Sequence, residues 1–235
     1  YSFDGGTTWA PNVAVSNSFN PFLGYPNQSK MGDYMTIVSD NTGGNVAYCA
    51  TFNSEEDIYY VRVVPVAPTA QSAVSRKIHG AAGNFDISLP LTGPAGIECR
   101  TGAVAGTHQL IVTFASSVTV GGVSVTAGTG SATFGVSGAV VTMDLTGVTN
   151  AETITVTLNN VSDGVNFGNV PVSMGVLLGD TNGNGSVNAS DVAQTKGQSG
   201  QSVTGANFHE DVNASGSISA ADVSLVKANV GTVLP

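Results

Sequence analysis

Two stretches near the carboxy terminus place oxygen-bearing side chains at alternate positions around a glycine. The first offers Asp180, Asn182, Asn184, the backbone carbonyl of Ser186, Asn188 and Asp191, with Gly185 sixth in order. The second offers Asp211, Asn213, Ser215, the carbonyl of Ser217, Ser219 and Asp222, with Gly216 at the turn. These are positions 1, 3, 5, 7, 9 and 12 of a twelve-residue loop, from which a calcium ion draws six to eight oxygens at about 2.3–2.6 Å. Position 9 reaches the ion directly or through water, and the glycine serves a sharp bend of expected positive φ.

Clusters of Asp, Asn and Gly also make ordinary surface turns. A repeat argues against that reading here. Gly185 matches Gly216, Val187 matches Ile218, Asp191 matches Asp222, Val192 matches Val223 and Lys196 matches Lys227, always 31 residues apart. A shared offset across charged, glycine and apolar positions predicts two Ca2+ sites. Val187 and Ile218, at position 8, are expected to pair across the two loops as a minimal strand bridge. Each loop carries two carboxylates, which predicts weak binding near ~10⁻⁴–10⁻³ M and an ion that acts as a structural staple.

Position 12 is Asp rather than Glu, and no helical pattern precedes either loop. With those departures the region from Gly179 onward resembles the type I dockerin family of bacterial extracellular modules. The resemblance implies two loop–helix units related by a pseudo-twofold axis and a cohesin, itself a β-sandwich, as partner. It also implies that positions 10 and 11, here Ala189, Ser190, Ala220 and Ala221, help select that partner. All four are small, which suits close approach of a flat surface and offers little directional hydrogen bonding.

At the other end, Ser2-Phe3-Asp4-Gly5-Gly6-Thr7-Thr8-Trp9 fits the pattern S-x-D-x-G-x-T-W. It resembles the Asp-box of sialidase-like β-propellers, in which Ser2 and Asp4 would belong to the turn, Gly6 would take a strained φ and Trp9 would pack between sheets. The motif is structural and carries no chemistry. The run from Gly32 to Val63 looks like a last propeller blade, but a propeller needs about four to eight of them. A sialidase also needs an arginine cluster, and this region holds Arg62 alone. No catalysis is expected of this chain.

Composition indicates the scaffold on which the loops sit. Charged residues make up 10% of the chain, Lys and Arg number 7, and the net charge is −9. Such a surface repels nucleic acid and anionic lipid and favours divalent cations. Thirty glycines among many Thr, Ser and Val indicate short strands and tight turns. Gln109–Phe114, Val118–Val120, Val140–Leu145 and Thr153–Leu158 alternate apolar and hydroxyl residues with period 2, which predicts an immunoglobulin-like β-sandwich. The fold expected is mainly β: a propeller-blade fragment over 1–65, a Pro- and Ala-rich linker over 66–74, the sandwich over 75–178, and a small two-loop, two-helix domain over 179–235. No apolar stretch is long enough to span a bilayer. The chain opens on Tyr1 inside a motif, and so reads as a piece of a longer secreted protein.

Other candidate chemistry is sparse. Cys49 and Cys99 form one bridge or remain two buried thiols. Glu98-Cys99-Arg100 presents a thiol beside a guanidinium but no base, so a buried strand cysteine is the expectation. His79, His108 and His209 lack metal-ligand spacing and read as surface or strand histidines. Glu55-Glu56-Asp57 reads as a solvated loop.

The function expected is attachment: an extracellular, cell-surface bacterial protein docking through its calcium-stapled module onto a cohesin-like partner. Two alternatives stand beside it. One is a filament subunit binding another copy of itself, head to tail; the other is the carboxy-terminal part of a secreted glycosidase.

Overall fold

Strand-forming runs broken by turns account for most of the molecule, as their alternation demands. The computed structural model describes residues 6–7, 12, 14–23, 35–40, 43–102 and 104–235. The chain divides into two units, one formed by Tyr1–Val66 with Gly164–Asn166 and the other by Ala67–Asp163 with Phe167–Pro235.

The first unit holds an open three-stranded antiparallel sheet of β1 (Thr36–Asp40), β2 (Gly43–Ala50) and β3 (Asp57–Val63), in that order. Aromatic side chains fasten one face, with Phe52 edge-on to Phe19 and Tyr59 at centroid distances of 5.3 and 4.9 Å. Arg62 pairs with Asp40 at 3.2 Å and donates to Asn45 Oδ1 at 2.8 Å. Glu55 lies in a turn and is exposed, while Glu56 and Asp57 are half-buried. Of the amino-terminal motif, Ser2, Asp4 and Trp9 lie outside the described residues, and Gly6 has φ +90°.

In the second unit the strands are β4 (Ala70–Ile78), β5 (Asn84–Ser88), β6 (Gly96–Glu98), β7 (His108–Phe114), β8 (Gly122–Ala127), β9 (Ser131–Ser137), β10 (Val140–Thr146), β11 (Glu152–Ser162) and β12 (Phe167–Val176). They form a five-stranded sheet, β5-β4-β7-β10-β9, and a four-stranded sheet, β6-β12-β11-β8. The period-2 pattern does what it predicts. Leu110, Val112 and Phe114 of β7 and Val141, Met143 and Leu145 of β10 turn inward. There they meet Ile154, Val156 and Leu158 of β11 and Val170, Val172 and Met174 of β12 in one apolar core. Burying each such side chain fully contributes about 1.5–3 kcal/mol relative to leaving it in water. Val118–Val120, expected as a strand, makes a single bridge from Thr119 to Ser162.

One expected boundary moves, and another is crossed without a linker. The linker predicted over 66–74 overlaps β4, whose Ala70 and Ala73 are buried in the sandwich core. Small residues there serve close sheet packing rather than flexibility. At 178/179 the chain passes from sandwich to loop region without a spacer. β12 pairs in parallel with β6, and that pairing continues into Leu177 N–H donating to Glu98 O (3.1 Å) and Gly179 N–H donating to Cys99 O (2.9 Å). The strand therefore delivers the chain into the first loop with no spacer, and the sandwich and loop region form one unit.

Candidate metal centre

Each loop ends in a short helix, α1 (Ala189–Gln198) and α2 (Ala220–Ala228), and the helix start explains the loop's last carboxylate. Asn188 and Ser219 are the N-caps, accepting from Ser190 N–H at 2.8 Å and Ala221 N–H at 3.2 Å. Asp191 and Asp222 sit three residues on and reach back to the cap N–H at 2.9 and 2.8 Å, completing a capping box in each helix. The same carboxylates accept from the position-3 amides, Asn182 N–H (3.3 Å) and Asn213 N–H (3.1 Å). One residue thus closes the loop and starts the helix. The capping role of Asn188 and Ser219 occupies the side-chain oxygens expected at position 9.

The first carboxylate organises the bend. Asp180 accepts from Asn184 N–H (3.1 Å) and Gly185 N–H (2.8 Å), and Asp211 from Ser215 N–H (3.0 Å) and Gly216 N–H (2.8 Å). Gly185 and Gly216 have φ +84° and +91°, the left-handed region that glycine enters without strain. Asn182 and Asn184 in one loop, and Asn213 in the other, accept from the amide two residues on. The Ser186 carbonyl accepts from Asn188 Nδ2 and the Ser217 carbonyl from the Ser215 hydroxyl.

The expected bridge between Val187 and Ile218 is replaced by a crossed arrangement. Ser186 bridges Val233, and Val187 exchanges hydrogen bonds with Thr232 and Gly231 at 2.9 Å each. Ser217 bridges Ser202, and Gly200 N–H donates to Ile218 O at 2.8 Å. Each loop therefore pairs with the chain that leaves the other loop's helix, so the exchange is reciprocal. Both position-8 side chains are buried as expected, and Val187 packs with Leu177, Val212 and Val226.

Two buried carboxylates stand in each loop. Asp180, Asp191, Asp211 and Asp222 are each 1% exposed or less. No Lys or Arg among the described residues pairs with any of them. Burying uncompensated carboxylates is costly. Burial pushes Asp180 above the ordinary carboxylate range, and the charge of Asp191 adds to the push. In Asp211 burial acts the same way, but the hydrogen bonds from His79 and from the Gly216 and Ser215 amides bring it below that range. Among the described residues no group of three or more His, Cys, Asp or Glu is placed to hold a metal ion by itself. Each loop offers two carboxylates, with amide, hydroxyl and carbonyl oxygens around them, a set that fits a hard divalent cation rather than a soft one. Ala189, Ser190, Ala220 and Ala221 form the first turns of the two helices and are exposed.

A buried polar network joins the second loop to the sandwich. Arg100 donates from Nε to Glu98 Oε1 and from Nη2 to Glu98 Oε2, both at 2.8 Å. Its remaining N–H groups reach Phe85 O (3.1 Å), Ser75 O (3.2 Å) and His79 Nε2 (2.9 Å), so the guanidinium is fully used. Burial alone would raise the Glu98 carboxyl, yet Arg100 holds it down to about 2. Arg100 also lies over the Phe208 ring, 5.1 Å from its centroid, and Phe208 stacks on Phe85 at 5.3 Å. Sequence reasoning missed this network. The signal available was Glu98 and Arg100 two apart, which puts them on one face of a strand, but the cysteine between them is the more conspicuous residue. Cys99 is free and buried, with its thiol pushed upward by that burial, so it is no activated nucleophile. Cys49 is also free, and no disulfide forms. None of the histidines lies on the surface as a free side chain: His79 and His108 are buried and His209 half-buried.

The family model described as "Dockerin type I domain" matches residues 178–231. No curated protein and no solved structure matches the chain. The carboxy-terminal loops and helices are thus a dockerin type I domain, a class that binds Ca2+ and cohesin domains and occurs in secreted or cell-surface bacterial proteins. The match does not reach the sandwich or the amino-terminal sheet. No helix of the described residues is long and apolar enough to cross a membrane.

Proposed function

We propose that this chain is a non-catalytic attachment protein of the bacterial cell exterior, held to a cohesin domain by a dockerin that carries two calcium ions. Asp180, Asn182, Asn184, the Ser186 carbonyl and Asp191 hold one ion. Asp211, Asn213, Ser215, the Ser217 carbonyl and Asp222 hold the other, with Asn188 and Ser219 contributing through water because their oxygens cap the helices. The immunoglobulin-like sandwich acts as the platform, and Ala189, Ser190, Ala220 and Ala221 meet the partner. The observation that carries this reading is the pair of buried carboxylates, without a Lys or Arg partner, in each of two loops 31 residues apart, inside the segment matched as a dockerin.

The test uses the full chain immobilised against a panel of cohesin domains, in calcium and in chelator. Binding to at least one cohesin that disappears on chelation, together with two calcium ions per chain by calorimetry, is the expected result. Calcium-independent binding, or no calcium uptake, would overturn the reading. Electron microscopy of the same samples would expose self-assembly as regular filaments, and sialoside cleavage by the chain would contradict the non-catalytic assignment.

A further inference from the structure

The two loops share a sequence pattern but not an environment. Around Gly185 a Cβ would find open space, whereas at Gly216 it would stand 2.7 Å from the His79 carbonyl oxygen and 3.3 Å from Ala81 N. The contact is mutual, since a Cβ on Gly80 would collide with the Ser215 carbonyl oxygen. The 3-10 turn Gly80–Ala82, which leaves β4 and leads into β5, therefore rests on the bend of the second loop. From that turn His79 Nδ1 reaches Asp211 Oδ2 at 2.8 Å, both side chains being fully buried. Asp180, the counterpart of Asp211, takes its hydrogen bonds from within its own loop.

The direction of the bond is set by its neighbour. Arg100 Nη1 stands 2.9 Å from His79 Nε2, and a guanidinium only donates. Nε2 must accept, so Nδ1 carries the proton and donates to Asp211. Arg100 is itself oriented by Glu98, and Glu98 by the Ser75 hydroxyl. A chain of groups rooted in the sandwich thus ends on the first carboxylate of the second loop.

On the calcium reading of that loop, we propose that His79 is a positioning residue for its ion. It holds the Asp211 carboxylate in register from outside the dockerin, so that the sandwich forms part of the second calcium site. The first site stands without such support. Outer partners that orient a metal ligand typically change affinity about 10- to 100-fold when removed. By reciprocity, calcium in the second loop tightens the contact between the Gly80–Ala82 turn and the dockerin by the same factor.

The test is calorimetric calcium titration of the full chain with His79→Gln and His79→Asn. An asparagine amide lies about where imidazole Nδ1 lies and can still donate to Asp211, whereas a glutamine amide lies where Nε2 lies and meets Arg100 instead. The expected result is one of two binding steps weakened about 10- to 100-fold in His79→Gln, the other unchanged, and most of the loss restored in His79→Asn. Unchanged titrations in both variants, or equal losses in both, would overturn the proposal while leaving the dockerin function intact. A wild-type chain that binds no calcium would instead overturn the functional reading on which it rests. Should the variants fold poorly, amide exchange in the unaltered protein decides. Calcium must slow exchange at His79 and Ala82, which donate to Gly83 O and His79 O, more than at Met143 in the sandwich core. Equal slowing at the three sites would refute the coupling.

Discussion

Replacing Glu98 by Gln tests whether the buried network is the joint between sandwich and dockerin. The side chain keeps its size, but one acceptor becomes a donor facing the N–H groups of Arg100 and the hydroxyl of Ser75, and the negative charge is lost. Arg100 is 1% exposed and its other N–H groups are already bonded, so its charge cannot turn to bulk solvent. Breaking a buried pair by removing one partner costs about 3–5 kcal/mol, because the remaining charge is left uncompensated. The carboxyl itself sets a similar scale: holding it from 4.5 to about 2 corresponds to on the order of 3 kcal/mol. Because the folded-state value is the lower one, that contribution is complete above pH 4.5 and is lost as pH falls toward 2. Urea unfolding of the full chain, followed by far-UV circular dichroism in saturating calcium, should show Glu98→Gln less stable by about 3 kcal/mol at pH 7 and the difference shrinking toward pH 3. The double variant Glu98→Gln with Arg100→Met should recover part of the loss, though Phe85 O, Ser75 O and His79 Nε2 would then lack a donor. A single-variant cost below about 1 kcal/mol would mean that Arg100 finds solvent, and the joint as described would be wrong.

The same unit yields two further outcomes. His108 is buried in β7 beside Lys77 with Nδ1 unpartnered, and burial lowers it to about 4 from 6.5; the neutral form is the folded form, so its contribution is present above pH 6.5 and is lost as pH falls from there to 4. The wild-type unfolding free energy should drop across that window and His108→Gln should flatten the drop; a parallel curve would contradict it. Gly185→Ala and Gly216→Ala both force alanine into positive φ at about 1–2 kcal/mol, but only the second also drives a Cβ into the His79 carbonyl. Thermal unfolding in calcium should therefore place Gly216→Ala clearly below Gly185→Ala, and equal midpoints would mean that the second loop does not rest on the sandwich.

What could be read in the sequence was whatever is local or repeated. The period of β7, β10 and β11 fixes which side chains turn inward, and the observed core is made of them. The loop positions succeed one another within twelve residues, and the repeat supplies a second copy as a check. Two kinds of feature were hidden. Val187 does not pair with Ile218 because the geometry of the helix exits, which no spacing reports, brings residues 231–233 to one loop and 200–202 to the other. The His79–Asp211 contact joins residues 132 positions apart, and its two ends lie in segments whose local patterns point to different domains.

That hidden contact changes what kind of object the dockerin is. A tethered plug would need a linker and a core of its own. Instead, Ile97 of β6 and Ala151, just before β11, pack against the cluster of Leu177, Val187, Val212 and Val226. Phe208 joins Ile87 and Cys99 of the sandwich, and Thr101 N–H donates to Val212 O at 2.7 Å. So small a domain needs staples, and the calcium proposed for its loops would supply one kind. The sandwich supplies another by completing the apolar clusters and anchoring the second loop. The exposed first turns of α1 and α2 are then carried on the same compact unit as the sandwich, and a partner bound there, as proposed above, would be held close to the sandwich rather than on a flexible leash. The absence of a spacer between β12 and Asp180 is the covalent expression of the same arrangement.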